Sequence, residues 1–367
     1  MTEAVLKVLS PGARSLIQDM GRPGFQRFGV SISGAMDTEA LLLGNRLAGN
    51  NVDAAGIEVL LGNAEFEFSH QAIFAVTGGD LAPTLDGKPV PAWQSLTAFP
   101  GERLMFGMAS EGVRAYLCVA GGIATEPVLG SRSTHAGSRL GGLRGRPLEA
   151  GDELALGLAD PDGEAASGLR VPASLLPVHA DEFTVRVVRG PQEDSFTEAG
   201  VRTFYGSTYT VTERSDRQGL RLDGPLIEAR GGRHDIVSDA VVAGSIQVPG
   251  DAMPIILMAD RQTTGGYAKI AVAASIDRPL LAQAAPGARV RFVQTTVNEA
   301  QLAATTRRKA LTETPLELAG EARELRLKIE GQTYRLRTGL RDGDVESGAV
   351  AVRIDGREAT LVRVRRV

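Results

Sequence analysis

The chain has few of the residues that most often carry chemistry alone, with one cysteine and four histidines among 367 residues. A single cysteine excludes a disulfide within the chain, and Cys118 lies in an apolar run, as is typical of a small buried hydrophobe. The histidines are scattered singly, without an H-x-x-x-H or C-x-x-C spacing. We therefore expect neither a catalytic thiol nor a metal site.

Long hydrophobic runs are missing as well. No apolar stretch approaches the roughly 20 residues that span a bilayer. The start of the chain, MTEAVLKV, lacks the basic region and apolar core of a secretory signal. The sequence thus predicts a soluble, cytoplasmic protein. A formal net charge of −4 gives no reason to expect a nucleic acid or an acidic membrane as a partner.

Nucleotide and biotin motifs are also missing from the sequence. Gly87-Lys88 is followed by Pro89, so it is not a phosphate-binding loop, and no G-x-G-x-x-G links a strand to a helix. No lysine follows a methionine, which is the usual context of a biotinylated lysine. We expect no covalent biotin on this chain. If ATP or carboxybiotin is used, a partner must supply it.

Glycine, by contrast, is abundant, with 44 residues. Glycine weakens the interior of helices and strands, so this abundance favours a mainly β fold with many turns. Two stretches share one plan, since each begins with a strand that carries a basic residue and each contains a Pro-Gly-x-Arg strand. The predicted parts are a first domain over 1–165, a second over 181–293, a helical linker over 294–322 and a small β module over 323–367.

The densest polar constellation lies within 238–269. The apolar run 255–258 predicts a buried strand, and polar side chains follow it directly. Because buried charges pair with each other or with a ligand, we predict a strand–polar loop–strand unit at the floor of a cleft. The alternative is an ion pair that only braces a turn. The polar candidates here are Gln247, Asp260, Arg261, Gln262 and Thr264.

Further polar candidates stand on glycine-rich loops elsewhere in the chain. Arginine forks bind carboxylates, glycine N–H groups stabilise oxyanions, and an aspartate can serve as a base. The set suits a small planar carboxylate, amide or ureido group, and binding without chemistry fits equally well. The members are Arg22, Ser33, Asp37, Asp80, Arg132, Ser133, Asp216 and Arg217.

Several long motifs resemble the biotin-dependent carboxyltransferase-like family. They include QDMGRPGFQRFGVSISGAMD (18–37), GNRLAGNNVDAAGIE (44–58), RSDRQGLRLDGP (214–225) and SIQVPGDAMPIILMADRQTTGGYAKIA (245–271). The resemblance covers about 5–293 and implies two cyclophilin-like β-barrel domains. It also implies a cyclophilin-like B-type partner and an A-type partner, which together with this chain would open 5-oxoproline to L-glutamate at the expense of ATP.

Two other functions stay open. The chain could transfer a carboxyl group from a partner's carboxybiotin to urea or a urea-like amide, or it could be a regulatory subunit that binds a B-type partner without chemistry. For the enzyme, Arg132 or Arg217 would hold a carboxylate, and Asp260 or Asp37 would orient water or the ring amide. The predicted catalytic residues are Asp37, Asp80, Asp260 and Arg261, and the other candidates named above are predicted to bind substrate.

Overall fold

The computed structural model describes residues 4–158, 167–178 and 180–319, together with four strand segments beyond them. The chain is mainly β, as predicted. Among the helices of these residues, none is long and apolar enough to cross a membrane.

The first unit consists of two sheets, with strand orders β11-β1-β4-β9-β6-β7 and β2-β3-β10-β5-β8. In β4, Phe66 and Phe68 point into the core and the glutamates between the phenylalanines point outward, as the two-residue period of a strand requires. The strands are β1 (Val5–Pro11), β2 (Arg14–Gln18), β3 (Gly56–Leu60), β4 (Ala64–Phe68), β5 (Ala72–Asp80), β6 (Thr84–Leu85), β7 (Lys88–Pro89), β8 (Ser95–Ala98), β9 (Arg103–Met105), β10 (Glu111–Val119) and β11 (Glu153–Ala155).

One helix, α1 (Thr38–Leu47), packs against β5 and β10. It begins at Asp37, whose side chain accepts a hydrogen bond from the Ala40 N–H, so that one of the unsatisfied N–H groups of the first turn finds a partner. The apolar face of α1, with Leu41 and Leu47, is buried. This packing fixes the position of the helix on the first unit.

The second unit is a closed barrel in the order β13-β20-β17-β18-β15-β14-β21, and β16 and β19 form a separate ribbon. In its core, Phe204 stacks on Phe292 with ring centroids 4.5 Å apart. The elements from the connection onward are β12 (Leu169–Arg170), β13 (Glu182–Arg189), α2 (Glu198–Gly206), β14 (Thr208–Val211), β15 (Gly219–Asp223), β16 (Asp235–Ala240), β17 (Ser245–Gln247), β18 (Ile255–Leu257), β19 (Thr264–Tyr267), β20 (Lys269–Ala273), α3 (Arg278–Gln283) and β21 (Arg289–Gln294).

The chain then returns to the first unit through α4 (Val297–Glu313), which lies in the range predicted as a helical linker. A capping box of Thr296 and Glu299 begins the helix. Near the end of α4, the carbonyls of Leu311 and Thr314 accept hydrogen bonds from Arg46 of α1. After β22 (Glu317–Leu318), which pairs with β12, two hairpins follow: β23 (Arg323–Ile329) with β24 (Gln332–Thr338), and β25 (Val350–Ile354) with β26 (Arg357–Leu361).

The two units share a buried interface. Met36, which belongs to the first unit in sequence, lies 5% exposed in the hydrophobic core of the second unit. In return, Gln283 at the end of α3 accepts hydrogen bonds from the Val113 and Arg114 N–H groups of β10, at 3.1 and 3.0 Å. Each unit therefore completes the packing of the other.

The packing of Met36 in the second core predicts how its replacement changes the free energy of unfolding. Met36→Ala should lower the free energy of unfolding by about 2–5 kcal/mol, because it leaves a cavity in the second core. The matched control is Met105→Ala, since Met105 is 49% exposed on β9 and should change stability by less than about 0.5 kcal/mol. Urea denaturation measures both variants, and equal effects would contradict this account of the interface.

Candidate functional site

A single guanidinium joins acids from both units at the interface. Arg217, in the loop before β15, is 5% exposed. Its Nε and Nη2 donate to the two carboxylate oxygens of Asp260 at 2.8 and 2.9 Å. Its Nη1 donates to Oε1 of Glu58 at 2.6 Å, and Nη2 also donates to the Gly34 carbonyl at 2.6 Å. Each nitrogen of the Arg217 guanidinium therefore donates to an acceptor within the protein.

Glu58 is the acid of the first unit in this network. It lies on β3 and is 3% exposed. Its Oε2 accepts hydrogen bonds from the Met36 N–H at 2.9 Å and from the Tyr116 hydroxyl at 2.7 Å. Arg114 adds a second positive charge, with its Nε 3.9 Å from Oε1. The carboxylate is thus buried, and its hydrogen bonds and ion pairs within the protein replace those it would make with water.

Burial by itself would raise the pKa values of Glu58 and Asp260. Burial is the largest single effect at both groups, but the charge of Arg217 together with the neighbouring charges and hydrogen bonds outweighs it, so each carboxyl has a pKa below its usual range. Hydrogen bonds from Arg217 and Ser33 act in the same direction at Asp260, as does the charged form of His135. Asp260 is therefore held as a carboxylate at neutral pH, at 8% exposure.

Ser33 presents its hydroxyl to Asp260 from an unusual backbone conformation. Its φ is +57°, in the left-handed region that residues other than glycine rarely adopt. The hydroxyl lies 2.8 Å from Oδ1 of Asp260, to which it donates. The next residue, Gly34, has φ +90°, and a Cβ there would lie 3.0 Å from the Gly21 nitrogen. Backbone strain of this kind concentrates at functional sites.

Two buried polar groups nearby lack a partner among the described residues. Arg22 is 1% exposed and donates to the carbonyls of Ser133 and Val128, but its Nη1 has no acceptor. The Oγ1 of Thr134 is also unpartnered. Buried polar groups are nearly always satisfied, so these two are suited to the oxygen of a ligand or to an ordered water. The Thr134 carbonyl lies 3.2 Å from the Ser33 hydroxyl, which places this threonine beside Asp260.

His135 follows directly in the chain and is also buried. Its Nδ1 accepts a hydrogen bond from the Ser138 N–H at 3.1 Å. In the neutral imidazole the proton must then sit on Nε2. The site therefore combines a fixed carboxylate, a hydroxyl, unpartnered donors and an imidazole. These groups can hold a small amide or ureido group and can accept or deliver a proton.

Comparison with known proteins identifies the family. The model of the family described as "Carboxyltransferase domain, subdomain A and B" matches residues 28–294, which include the Arg217, Glu58 and Asp260 network. The chain belongs to this carboxyltransferase family. The resemblance found in the sequence motifs is thereby confirmed.

The relatives of this chain differ in how much of their own length it covers. It is 37% identical over 296 residues to the C subunit of 5-oxoprolinase from Escherichia coli (strain K12), which is 81% of this chain and 93% of the relative. It is 36% identical over 305 residues to the urea amidolyase of Lachancea kluyveri, which is 78% of this chain and 17% of the relative. The crystal structure of the K. lactis urea amidolyase matches with a TM-score of 0.81 at 28% identity, covering 92% of this chain and 22% of that one.

The carboxyltransferase fold brings together five of the residues singled out in the sequence, namely Arg22, Ser33, Ser133, Arg217 and Asp260. Ser133 donates to Oδ1 of Asp19 and thereby braces the loop that holds Arg22. Four of the five N–H donors of Arg217 bond within the protein, so that its paired fork already holds Asp260 rather than the ligand carboxylate that the sequence suggested.

Other candidates lie in a second group or in turns. Gln262 donates to Gln247 at 3.3 Å, and Thr264 is exposed on β19. Arg261 is buried, and its Nη1 donates to the Met258 carbonyl rather than to Asp260. Three of the remaining four bond locally: Asp80 accepts from the Ala82 N–H, Asp216 accepts from the Gln218 and Gly219 N–H groups, and the Arg132 Nε donates to the Thr125 carbonyl. Asp37 caps α1 and also accepts from Gln283 across the interface.

Sequence reasoning missed Glu58, Arg114, Tyr116 and His135. The first three stand inside otherwise apolar strands, GIEVL and EGVRAYLCV. A lone charge within a buried strand is itself a signal, because it must have a partner. His135 had no comparable signal in the sequence. Across the part of the chain that the structure describes, no three His, Cys, Asp or Glu side chains are grouped to hold a metal.

The Arg217 network predicts a large stability effect. Arg217→Met should lower the free energy of unfolding by about 3–5 kcal/mol, because it leaves two buried carboxylates without their main counter-charge. Arg202→Met is the matched control, since Arg202 is exposed on α2 and surface pairs contribute at most about 1 kcal/mol. Chemical denaturation at neutral pH compares the two variants. A loss for Arg217→Met no larger than that of the control would contradict the network.

The lowered carboxyl pKa values predict an acid dependence. A group whose pKa is lower in the folded than in the unfolded state stabilises the protein above its unfolded pKa, near about 4. That contribution is lost as the pH falls through the folded pKa. Asp260→Asn removes one such group, so the free energy of unfolding should fall less steeply between pH 5 and pH 2 than in the wild type. Asp80→Asn, outside the network, serves as the control, and an unchanged slope for Asp260→Asn would refute the assignment.

Proposed function

We propose that this carboxyltransferase-family chain is the C subunit of an ATP-dependent 5-oxoprolinase that acts with A-type and B-type partners. The observation that carries the proposal is the buried site between the units, where the Asp260 carboxylate stands beside donors that have no partner among the described residues. A five-membered lactam presents one N–H and one carbonyl oxygen. The N–H can donate to the Asp260 carboxylate, and the carbonyl oxygen can accept from the donors that have no partner.

Each group of the site would have a distinct task. The Asp260 carboxylate would accept a hydrogen bond from the lactam N–H or from the attacking water, oriented by Ser33 and Arg217. The Arg22 Nη1 and Thr134 Oγ1 donors would face the lactam oxygen, where negative charge develops as the ring opens. Opening breaks the lactam C–N bond, and the water oxygen enters the new carboxylate of glutamate. ATP, bound through the complex, would supply the driving force for opening the lactam.

The proposal follows the relatives whose length this chain matches most fully. The 5-oxoprolinase C subunits of E. coli and Haemophilus influenzae are each matched over 93% of their length. The urea amidolyase relatives are matched over 16–17% of theirs. A protein named as one subunit among several belongs to an assembly, which is consistent with the A-type and B-type partners proposed here.

A second candidate function is carboxyl transfer from a partner's carboxybiotin to urea. The observation that favours it is the structural match to urea amidolyase over 92% of this chain, well beyond the range of the family model. Urea offers N–H groups and a carbonyl oxygen, so the same donors and the Asp260 carboxylate would receive it. The third possibility is a regulatory subunit without chemistry of its own, which an assay must distinguish from the two reactions.

Reconstitution tests the proposal. The chain is coexpressed with A-type and B-type subunits, and glutamate and ADP are measured from 5-oxoproline and ATP. Turnover should disappear when this chain is omitted, and Asp260→Asn in the assembled complex should reduce kcat by at least about 100-fold. Asp53→Asn makes the same chemical change at an exposed position outside the candidate residues and should keep full activity.

Two results would count against the proposal. Full turnover without this chain would make it dispensable. A stable complex without turnover would direct the assay to urea with a carboxybiotin donor, and activity there would replace the proposed reaction. Inactivity in both assays together with binding to the B-type subunit would indicate a regulatory role.

A further inference from the structure

A small cavity lies between the two units, next to the Arg217 network but without Asp260 in its walls. Its volume is about 220 Å³, and Glu58 and Arg217 are among the residues that line it. Asp260 and the unpartnered donor Arg22 of the candidate site are not. Pockets that hold drug-sized ligands have roughly 300–1,000 Å³, so this cavity suits a smaller molecule. It is separate from the site described above.

The first unit contributes one face of its sheet to this cavity. Arg14 on β2 and Arg114 on β10 both pair with Leu60 of β3, which lies between them. Directly opposite residues of antiparallel strands point to the same face, and neighbouring strands are about 4.8 Å apart, so the two arginine backbones stand roughly 10 Å apart on this face. Leu16 and Glu58 form the next row, two residues along. All five residues line the cavity.

The two arginines of this row differ in their partners. The Nε of Arg114 lies 3.9 Å from Oε1 of Glu58, and its Nη1 donates to the Ala282 carbonyl. Arg14 is half-buried, and its side chain makes no hydrogen bond or ion pair with the residues the structure describes. Its Nε is buried without an acceptor. Because buried donors are nearly always satisfied, Arg14 needs an acceptor from outside the described residues.

The second unit brings an acid to the same cavity. Glu213, in the loop before β15, is exposed and makes no hydrogen bond or ion pair with any described residue, Arg14 included. The other acids of the cavity are committed, Glu58 to Arg217 and Asp216 to two N–H groups of its own turn. Among the described residues, the cavity therefore has one uncompensated positive and one uncompensated negative charge, which do not pair with each other.

Most of the remaining wall of the cavity is apolar. Leu60 of the first unit faces Leu220 and Pro286 of the second across it. Leu61, which also lines the larger neighbouring cavity of about 710 Å³, is 41% exposed and has φ +61°. A bulky residue in the left-handed region is strained, and strain of this kind concentrates at functional sites such as ligand clamps.

A ligand that complements these three kinds of wall has a carboxylate, an ammonium group and an apolar body. We propose that the cavity binds an amino acid with a small apolar side chain. The carboxylate pairs with Arg14 through charge-assisted hydrogen bonds, the ammonium group faces Glu213, and the side chain lies against the leucines. Each charge of the ligand then meets its counter-charge. The inference is independent of the proposed reaction, because Asp260 does not line the cavity.

Leucine and two of its fragments test the inference on the full chain. L-Leucine carries both charges, 4-methylpentanoate lacks the ammonium group, and 3-methylbutylamine lacks the carboxylate. Calorimetric titration should show that L-leucine binds more tightly than either fragment. Arg14→Gln should weaken binding of L-leucine by about 10- to 100-fold and should not change binding of 3-methylbutylamine. Glu213→Gln should weaken binding of L-leucine and of 3-methylbutylamine by about 2- to 5-fold, because this acid is exposed, and should not change binding of 4-methylpentanoate.

Matched controls come from an exposed ion pair on α2. Arg202→Gln and Glu198→Gln make the same two chemical changes there and should leave every affinity unchanged. Because Glu213 is exposed, Glu213→Gln should have the urea midpoint of the wild type, so that its effect on binding reports the contact with the ligand and not the folding of the chain. L-Alanine and L-valine extend the set to smaller side chains.

Four results would overturn the inference. They are the absence of binding by L-alanine, L-valine and L-leucine, wild-type affinity for L-leucine in Arg14→Gln, equal binding of L-leucine and both fragments, and competition between L-leucine and 5-oxoproline. Competition would place the amino acid at the site of Asp260. If L-leucine binds as expected but the reconstituted complex shows no turnover of 5-oxoproline, the amino-acid site stands and the 5-oxoprolinase proposal falls.

Discussion

The structure depends on one guanidinium held between two carboxylates that come from different units. Arg217 and Asp260 belong to the barrel, whereas Glu58 belongs to a strand of the first unit. Removing three charges from water costs several kcal/mol per ion, and this cost is offset only when all the partners are in place. The network can therefore form only when the two units are docked, so that assembly of the interface and assembly of the site are one event.

Neutral contacts keep the same interface rigid. Tyr116 donates to Glu58 and accepts from the Asp37 N–H at 2.8 Å, which connects the network to the start of α1. Asp37 in turn accepts from Gln283 at the end of α3. Burial raises the pKa of Asp37, and the hydrogen bonds from Gln283 and Ala40 lower it only in part. These links make the position of Asp260 a property of the whole interface, which suits a site that must be organised before its ligand arrives.

The sequence predicts the mainly β fold, the family and part of the site, for identifiable reasons. Glycine content and short apolar runs report β structure directly. Arg217 and Asp260 lie in polar loops, where the density of charged residues indicates a candidate site. Their partner Glu58 could not be identified, because it is 159 residues from Arg217 and no local pattern reveals which strands meet. Asp216 and Asp260 look alike in sequence, but Asp216 accepts N–H groups of its own turn, whereas Asp260 pairs with Arg217 of the neighbouring loop. Turn chemistry and site chemistry use the same residue types.

The network around Arg217 does not by itself distinguish a lactam from urea. Glu58 and Asp260 balance Arg217 and Arg114, so the core of the interface is electrically neutral. A neutral site of this kind would accept urea or a lactam with similar ease, since both offer an N–H group and a carbonyl oxygen. The two ligands differ in charge, since urea is neutral whereas 5-oxoproline carries one negative charge. A group outside the network that binds this carboxylate would therefore distinguish the two reactions more sharply than the acids of the network do.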